Sequence, residues 1–258
     1  MRQRTFKLDL DGEPVWVKRP RRGPGYFMYG LQAGAAALLQ IPPLRPPRVS
    51  RRAVGLHAEA RRLARLERKG WPVPHVLDVS DRWLALRDNG RSLAPVLWEI
   101  PTAQRVDLLR DALAYLQTLH AQGGWHGAGQ LRNFTRIGAG FGLLDFEDDL
   151  EPSMPLSVRQ ARDILLFAMS AARFSESDHR VVQALLADAR KRAAPAVEAE
   201  LHAAGTKLVH ARRLLGPLTR WSGPDGRSLA LVAAAFEHLQ PPGAPTDKLA
   251  ADTAHPQP

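Results

Sequence analysis

Residues 125–149 constrain this chain more than any other stretch: Trp-His-Gly-Ala-Gly-Gln-Leu-Arg-Asn-Phe-Thr-Arg-Ile-Gly-Ala-Gly-Phe-Gly-Leu-Leu-Asp-Phe-Glu-Asp-Asp. His126-Gly127 opens a loop that ends at Asn133. The short apolar run from Phe141 to Leu144 reads as a buried strand that delivers Asp145 into Asp145-Phe146-Glu147. An Asn and an Asp brought together across a short hairpin make a hard, oxygen-rich site of the kind Mg²⁺ prefers, and Mg²⁺ in such sites brings phosphates with it. Asn133 and Asp145 are therefore the expected metal ligands.

The chain has 258 residues, enough to bury a full core as one domain of two lobes or as two small domains. It has no cysteine, so neither a disulfide framework nor a thiolate metal site is available, which is compatible with a cytoplasmic location. Met1-Arg2-Gln3-Arg4-Thr5 leads into charged, alternating residues and not into an apolar signal core. No uninterrupted apolar run approaches the ~20 residues of a membrane span. Lys and Arg number 36 against 26 acids, and the net charge of +10 points to an anionic partner such as a nucleotide, a lipid headgroup or a phosphorylated glycan. A composition rich in Arg and Ala accounts for the same excess without a partner. There is no internal repeat and no zinc-finger or RNP signature, so nucleic acid is not an expected partner.

Local patterns give the elements. Thr5 to Leu10 alternates at period two, Asp11-Gly12 is a turn signal, and Pro14 to Lys18 is the return strand of a hairpin. Taken alone, Lys18 is a surface lysine closing an edge strand. Residues 19–50 carry Arg19, Arg21 and Arg22, the apolar groups Tyr26 to Tyr29 and Ala35 to Leu39, and the pairs Pro42-Pro43 and Pro46-Pro47. They read as a Pro/Arg-rich insert, packed or in peripheral contact with an anionic membrane surface. Residues 51–69 form a helix with Leu56, Ala60, Leu63 and Leu66 on one face, and Glu59 among arginines beside it. Gly70 ends it, and Trp71 to Leu77 leads into a strand. Arg82 to Leu86 is a further strand running into a Gly90 turn. Residues 102–120 form a long helix, capped by Thr102, with Val106, Leu109, Leu113, Leu116 and Leu119 on its apolar face. Residues 157–174 form a largely buried helix in which Asp163 needs partners, because a lone buried acid is costly. Residues 178–215 are helical, Gly216-Pro217 and Gly223 to Gly226 break the chain, and Leu229 to Leu239 is a last helix. Residues 241–258 carry Pro and small polar residues and read as a disordered tail.

The order of these features resembles the protein-kinase-like superfamily, most closely the small bacterial lipopolysaccharide kinases of the Kdo/heptose type. His126 stands for the His of the catalytic-loop His-Arg-Asp pattern, Asn133 for its Asn, and Asp145-Phe146-Glu147 for Asp-Phe-Gly. Two departures are plain: Ala128 stands at the catalytic Asp, and Glu147 stands at the Gly. The approach Leu119-His120-Ala-Gln-Gly-Gly-Trp-His126 and the string Gly70-Trp-Pro-Val-Pro-His-Val76 are also similar to the family.

The resemblance implies an α+β, two-lobed kinase-like fold. Residues 1–90 would be a small antiparallel sheet plus helix, with the insert at 19–50, and residues 91–240 a mostly helical lobe. It implies ATP and Mg²⁺ as cofactors. The site set would be His126, Asn133 and Asp145, with Asn133 and Asp145 on the metal. Lys18 would reach the α- and β-phosphates, held by Glu59, and the backbone of Arg87, Asp88 and Asn89 would read the adenine edge. His126 would pack and hydrogen-bond the backbone near Asp145 or Phe146, and Asp163 would accept from the catalytic-loop backbone. The implied activity is phosphoryl transfer to a hydroxyl of a lipopolysaccharide-core sugar or related anionic acceptor, in the cytoplasm or peripherally at the inner membrane. The alternative is a pseudokinase, a nucleotide-binding or regulatory module, because Ala128 cannot accept a proton. Glu147, Asp148 or Asp149 could take over that role if the loop folds back.

Overall fold

The computed structural model describes residues 4–20, 41–45, 53–147, 154–215 and 223–239. Most of the insert, Asp148 and Asp149, and the tail at 241–258 lie outside the described residues. The chain is mixed α+β, with small antiparallel sheets near the N-terminus and helices beyond them.

Strands β1 (Thr5–Leu10) and β2 (Glu13–Lys18) pair from Thr5↔Lys18 to Leu10↔Glu13. Asp11 and Gly12 make the turn between them, with φ of 54° and 85°. That left-handed pair is what a two-residue hairpin turn requires, and Asp-Gly supplies it at little cost. Helix α1 (Ala53–Arg68) follows, then β3 (Val76–Val79) and β4 (Leu84–Arg87). The sheet order is β1-β2-β4-β3, antiparallel throughout, with an irregularity in β3 between Val76 and Asp78. Leu56, Ala60 and Leu63 of α1 are buried together with Leu84 and Leu86 of β4.

A second sheet, β5 (Arg91–Ser92), β6 (Phe134–Ile137) and β7 (Gly140–Leu143), carries the stretch from which the sequence argument began. In β6–β7, Phe134 faces Leu143 and Ile137 faces Gly140. Helix α2 (Leu93–Glu99) and the long α3 (Thr102–Ala121) lead from β5 to the loop. Helix α4 (Leu156–Ala171) is buried at Val158 and from Gln160 to Met169. Helices α5 (His179–Arg192), α6 (Pro195–Leu215) and α7 (Pro224–Glu237) close the core around it, with Leu185, Leu201, Val232 and Ala235 at 1% exposure or less.

Two expectations about element ends are corrected, and a third stretch is divided. Thr102 does not cap α3: Pro101 holds the cap position without a side-chain bond, and Thr102 Oγ donates to Glu176 at 2.6 Å. Residues 178–215 are helical, as expected, in two helices, because Ala193 turns extended (ψ 145°) and Pro195 starts afresh. The last helix begins at Pro224 and not at Leu229, since proline is suited to a first helical turn whose N–H groups have no partner.

The end of the insert is placed differently from its sequence neighbours. Ile41 is fully buried, and the 3-10 turn Pro42–Leu44 packs on α4 and α6, among the C-terminal helices.

Candidate active site

The loop 126–133 is held from below by α4. Asp163, fully buried, accepts from the backbone N–H of His126 at 2.5 Å and of Gly127 at 2.6 Å, and lies 3.2 Å from His120 Nε2. Burial alone would raise its carboxyl. The hydrogen bond and charge of His120, then His126, outweigh that and hold it below the usual carboxylate range. Gln160 donates to the carbonyls of His120 and Gly124, and Arg162 to that of Gly127. The approach is so close that a Cβ on Gly129 would lie 2.6 Å from the Asp163 carbonyl oxygen. This is the partnered acid that the apolar pattern of α4 demanded.

His126 is fully buried and stacks on Phe146 with ring centroids 4.3 Å apart. Its Nε2 donates to Leu144 O at 3.1 Å, and its Nδ1 accepts from Ala128 N–H at 3.2 Å. Both ring nitrogens are thus used by the neutral form. Burial pushes its pKa down to about 4, with the Arg62 charge adding to the fall against the pull of Asp163. His126 is a positioning residue, bound to the backbone one residue before Asp145.

Asn133 is buried, and its Nδ2 donates to Ala128 O at 2.8 Å. That bond orients the amide, so that Oδ1 is the atom that could coordinate a cation. The Asn133 carbonyl accepts from Leu144 N–H at 2.9 Å, so the β6–β7 hairpin brings Asn133 and the residue before Asp145 to one end. Asp145 itself has φ +67°, an unusual conformation for a non-glycine residue that Asp tolerates better than most. An amide oxygen and a carboxylate at one hairpin end fit the hard donor set of Mg²⁺.

Lys18 overturns its isolated reading as a surface lysine, and Glu59 is buried with it: they are only 8% and 1% exposed. Lys18 Nζ lies 2.7 Å from Glu59 Oε1 and 2.6 Å from Asp145 Oδ1. Burial alone would lower the Lys18 pKa, but Glu59, then Asp145 and Glu147, outweigh it and keep the ammonium charged well above the ordinary range. Burial likewise pushes the Glu59 carboxyl up, against the pull of Lys18, and its Oε2 has no hydrogen-bond partner. For Asp145, burial is outweighed by Lys18, and the carboxyl is held low. Glu59, Asp145 and Glu147 bring carboxylate oxygens within 4.8 Å of one another, and among the described residues Lys18 and Arg4 pair with them.

The segment expected to read adenine is partly committed elsewhere. Arg87 N–H donates to His75 O at 2.9 Å and Asp88 N–H to Pro14 O at 3.1 Å. The Arg87 and Asp88 side chains pair with Glu13 and Lys7, and Asn89 Nδ2 reaches Pro72 O at 3.3 Å. Two backbone donors of this stretch are therefore spent on the sheet.

Ala128 is buried, and its carbonyl accepts from Asn133 and from Gln130 N–H. Glu147, offered above as a substitute acid, is paired with Arg4. The sequence reading missed Arg4, Arg62 and Arg162. Arg62 shares a face of α1 with Glu59, three residues on; its guanidinium lies 3.7 Å from the Trp125 ring centroid and 4.9 Å from that of Phe146. The available signal was that i, i+3 spacing.

Among the described residues no helix is long and apolar enough to cross a membrane. No protein-family model matches the chain, and no curated protein matches it.

Proposed function

We propose that this chain is an atypical ATP-dependent phosphotransferase of the protein-kinase-like type, acting on a hydroxyl of a lipopolysaccharide-core sugar or a related small anionic acceptor. One observation carries the nucleotide part: a buried Lys18 held between Glu59 of α1 and Asp145 at the end of the β6–β7 hairpin. In the two-lobed reading, β1–β4 with α1 form the smaller lobe and α3–α7 the larger. Nucleotide would then bind where Lys18 of the first meets Asp145 at the edge of the second.

In this reading Lys18, kept charged and extended by Glu59, binds the α- and β-phosphates. Asn133 Oδ1 and Asp145 would hold Mg²⁺, which would supply neutralisation of phosphate charge. Asp163 and His126 hold the loop without touching a reacting atom. The acceptor follows from the resemblance and from the net charge of +10. A peripheral contact of residues 19–50 with the inner membrane would bring the chain to such an acceptor.

Ala128 favours a second reading, a nucleotide-binding module without turnover. Phosphoryl transfer depends mainly on positioning and charge stabilisation, and general-base help contributes about 10²–10⁴-fold. A site with Ala128 is thus expected to be slow, with the acceptor proton leaving to water.

The test is ATP binding by calorimetry with and without Mg²⁺, followed by ADP release in the same sample. Mg²⁺-dependent binding with slow ADP release, both lost in Asp145→Ala, is the expected outcome. Binding without release, even with candidate acceptors present, supports the module without turnover. Metal-dependent binding unchanged in Asp145→Ala overturns the site.

A further inference from the structure

Asp145, Phe146 and Glu147 are each met by a cation from the N-terminal elements. Lys18 of β2 contacts Asp145, Arg62 of α1 lies over Phe146, and Arg4, at the foot of β1, pairs with Glu147 through both terminal guanidinium nitrogens, Nη1 and Nη2. One of the Arg4–Glu147 bonds, Nη1 to Oε1, is 3.2 Å long. Arg4 is itself fixed by the hairpin: its carbonyl accepts from Arg19 N–H at 2.9 Å, and its Nε donates to Arg19 O at 3.2 Å. The next ladder pair is Thr5↔Lys18, so Arg4 and Lys18 are presented by the same end of the same hairpin.

We propose that Arg4 and Glu147 form a latch that pins the Asp145-Phe146-Glu147 loop to the N-terminal hairpin and so sets the position of Asp145 beside Lys18. The proposal deepens the nucleotide-site reading and rests on it for its functional consequence. A glycine at position 147 would leave the segment free to rotate, whereas a glutamate gives the hairpin a charged handle to hold. Bidentate pairing of a guanidinium with a carboxylate also fixes direction, which a lysine at position 4 could not do to the same degree. Arg4 and Glu147 are positioning residues in this scheme: they act on Asp145 through the backbone between them.

The experiment is amide hydrogen exchange on the full chain without ligand, reading Leu143 to Glu147, for the wild type, Arg4→Ala, Glu147→Gly, Arg4→Lys and the charge swap Arg4→Glu/Glu147→Arg. Exchange there should rise on the order of tenfold in Arg4→Ala and Glu147→Gly, less in Arg4→Lys, and return towards wild type in the swap. A global loss of stability would raise exchange everywhere and would not be rescued by the swap. Unchanged exchange in both single variants, or a swap no better than either, overturns the latch. Calorimetry with Mg²⁺ and ATP on the same variants separates the two readings. Wild type that binds no nucleotide removes the nucleotide site, while exchange alone decides the latch. With binding present, affinity should fall several-fold in Arg4→Ala and recover in the swap, and affinity that ignores the latch while exchange responds overturns its role in placing Asp145.

Discussion

At the scale of single residues, the site is dominated by groups buried in a defined charge state. His126 is neutral, with Nε2–H on Leu144 O and Nδ1 accepting from Ala128 N–H. A second proton would have to displace that N–H inside the core. Its folded pKa of about 4 lies below the ordinary 6.5, so the unfolded chain takes up a proton first as pH falls. The contribution of His126 to stability is therefore present above pH ~6.5 and is lost progressively towards pH ~4, by about 2 kcal/mol between pH 7 and pH 5. In His126→Gln, whose amide can still donate to Leu144 O, that part of the slope should vanish. Urea midpoints measured at pH 7, 6 and 5 check it, and equal slopes in both proteins would mean that His126 is not held neutral. Lys18 makes the opposite case, a buried group held charged. Lys18→Met leaves Glu59 inside the protein without its cation and should cost about 3–5 kcal/mol by urea unfolding, whereas Lys18→Met/Glu59→Met should recover most of that loss. A Lys18→Met cost below about 1 kcal/mol would show that the pair is not closed in solution.

At the scale of elements, the hairpins were legible and the contacts between elements were not. Alternation with Asp-Gly specifies β1–β2 because period and turn chemistry are both local. The run Phe141–Leu144 predicted β7 for the same reason, and its observed bounds are Gly140–Leu143. Its partner β6, buried at Phe134 and Thr135, half-buried at Arg136 and exposed at Ile137, has no such alternation, and the sequence implies it only through the short hairpin that joins Asn133 to Asp145. Asp163 was legible because a carboxylate in an apolar helix demands donors, and the two backbone N–H groups of His126 and Gly127 are those donors. Lys18 and Glu59 were legible only through a resemblance in order and spacing. Their residue types alone pointed to the surface, since nothing local records that a strand end and a helix turn 41 residues apart share one buried ion pair. Arg4–Glu147, separated by 143 residues, lies further beyond what any local pattern can show.

At the scale of the whole molecule, the chain crosses between its sheet and its helices more often than a division at residue 90 implies. It leaves β2 at Lys18, reaches the C-terminal helices by Ile41, and returns to the sheet side at α1. Residues 41–45 are thus a second connection beside the one at 88–92, and Arg162 is its fastener. From within α4, only 4% exposed, Arg162 donates to Pro43 O at 3.0 Å, Arg45 O at 2.8 Å and Gly127 O at 2.8 Å. One guanidinium therefore ties the strap that precedes α1 to the loop that carries Asn133. Arg162→Met removes the donors of three carbonyls that point inward, and buried unsatisfied polar groups cost about 1–3 kcal/mol each, less than additively. The expected loss is about 3 kcal/mol or more in urea unfolding, with faster amide exchange around both Leu44 and Gly127. Arg162→Lys should recover only a minor part, because an ammonium on a flexible stem cannot meet three carbonyls set around a planar fork. Full recovery by lysine would mean that charge alone matters at this position. Exchange raised at Leu44 but not at Gly127 would mean that strap and loop are held independently, and that α1 and Asn133 are not coupled through Arg162.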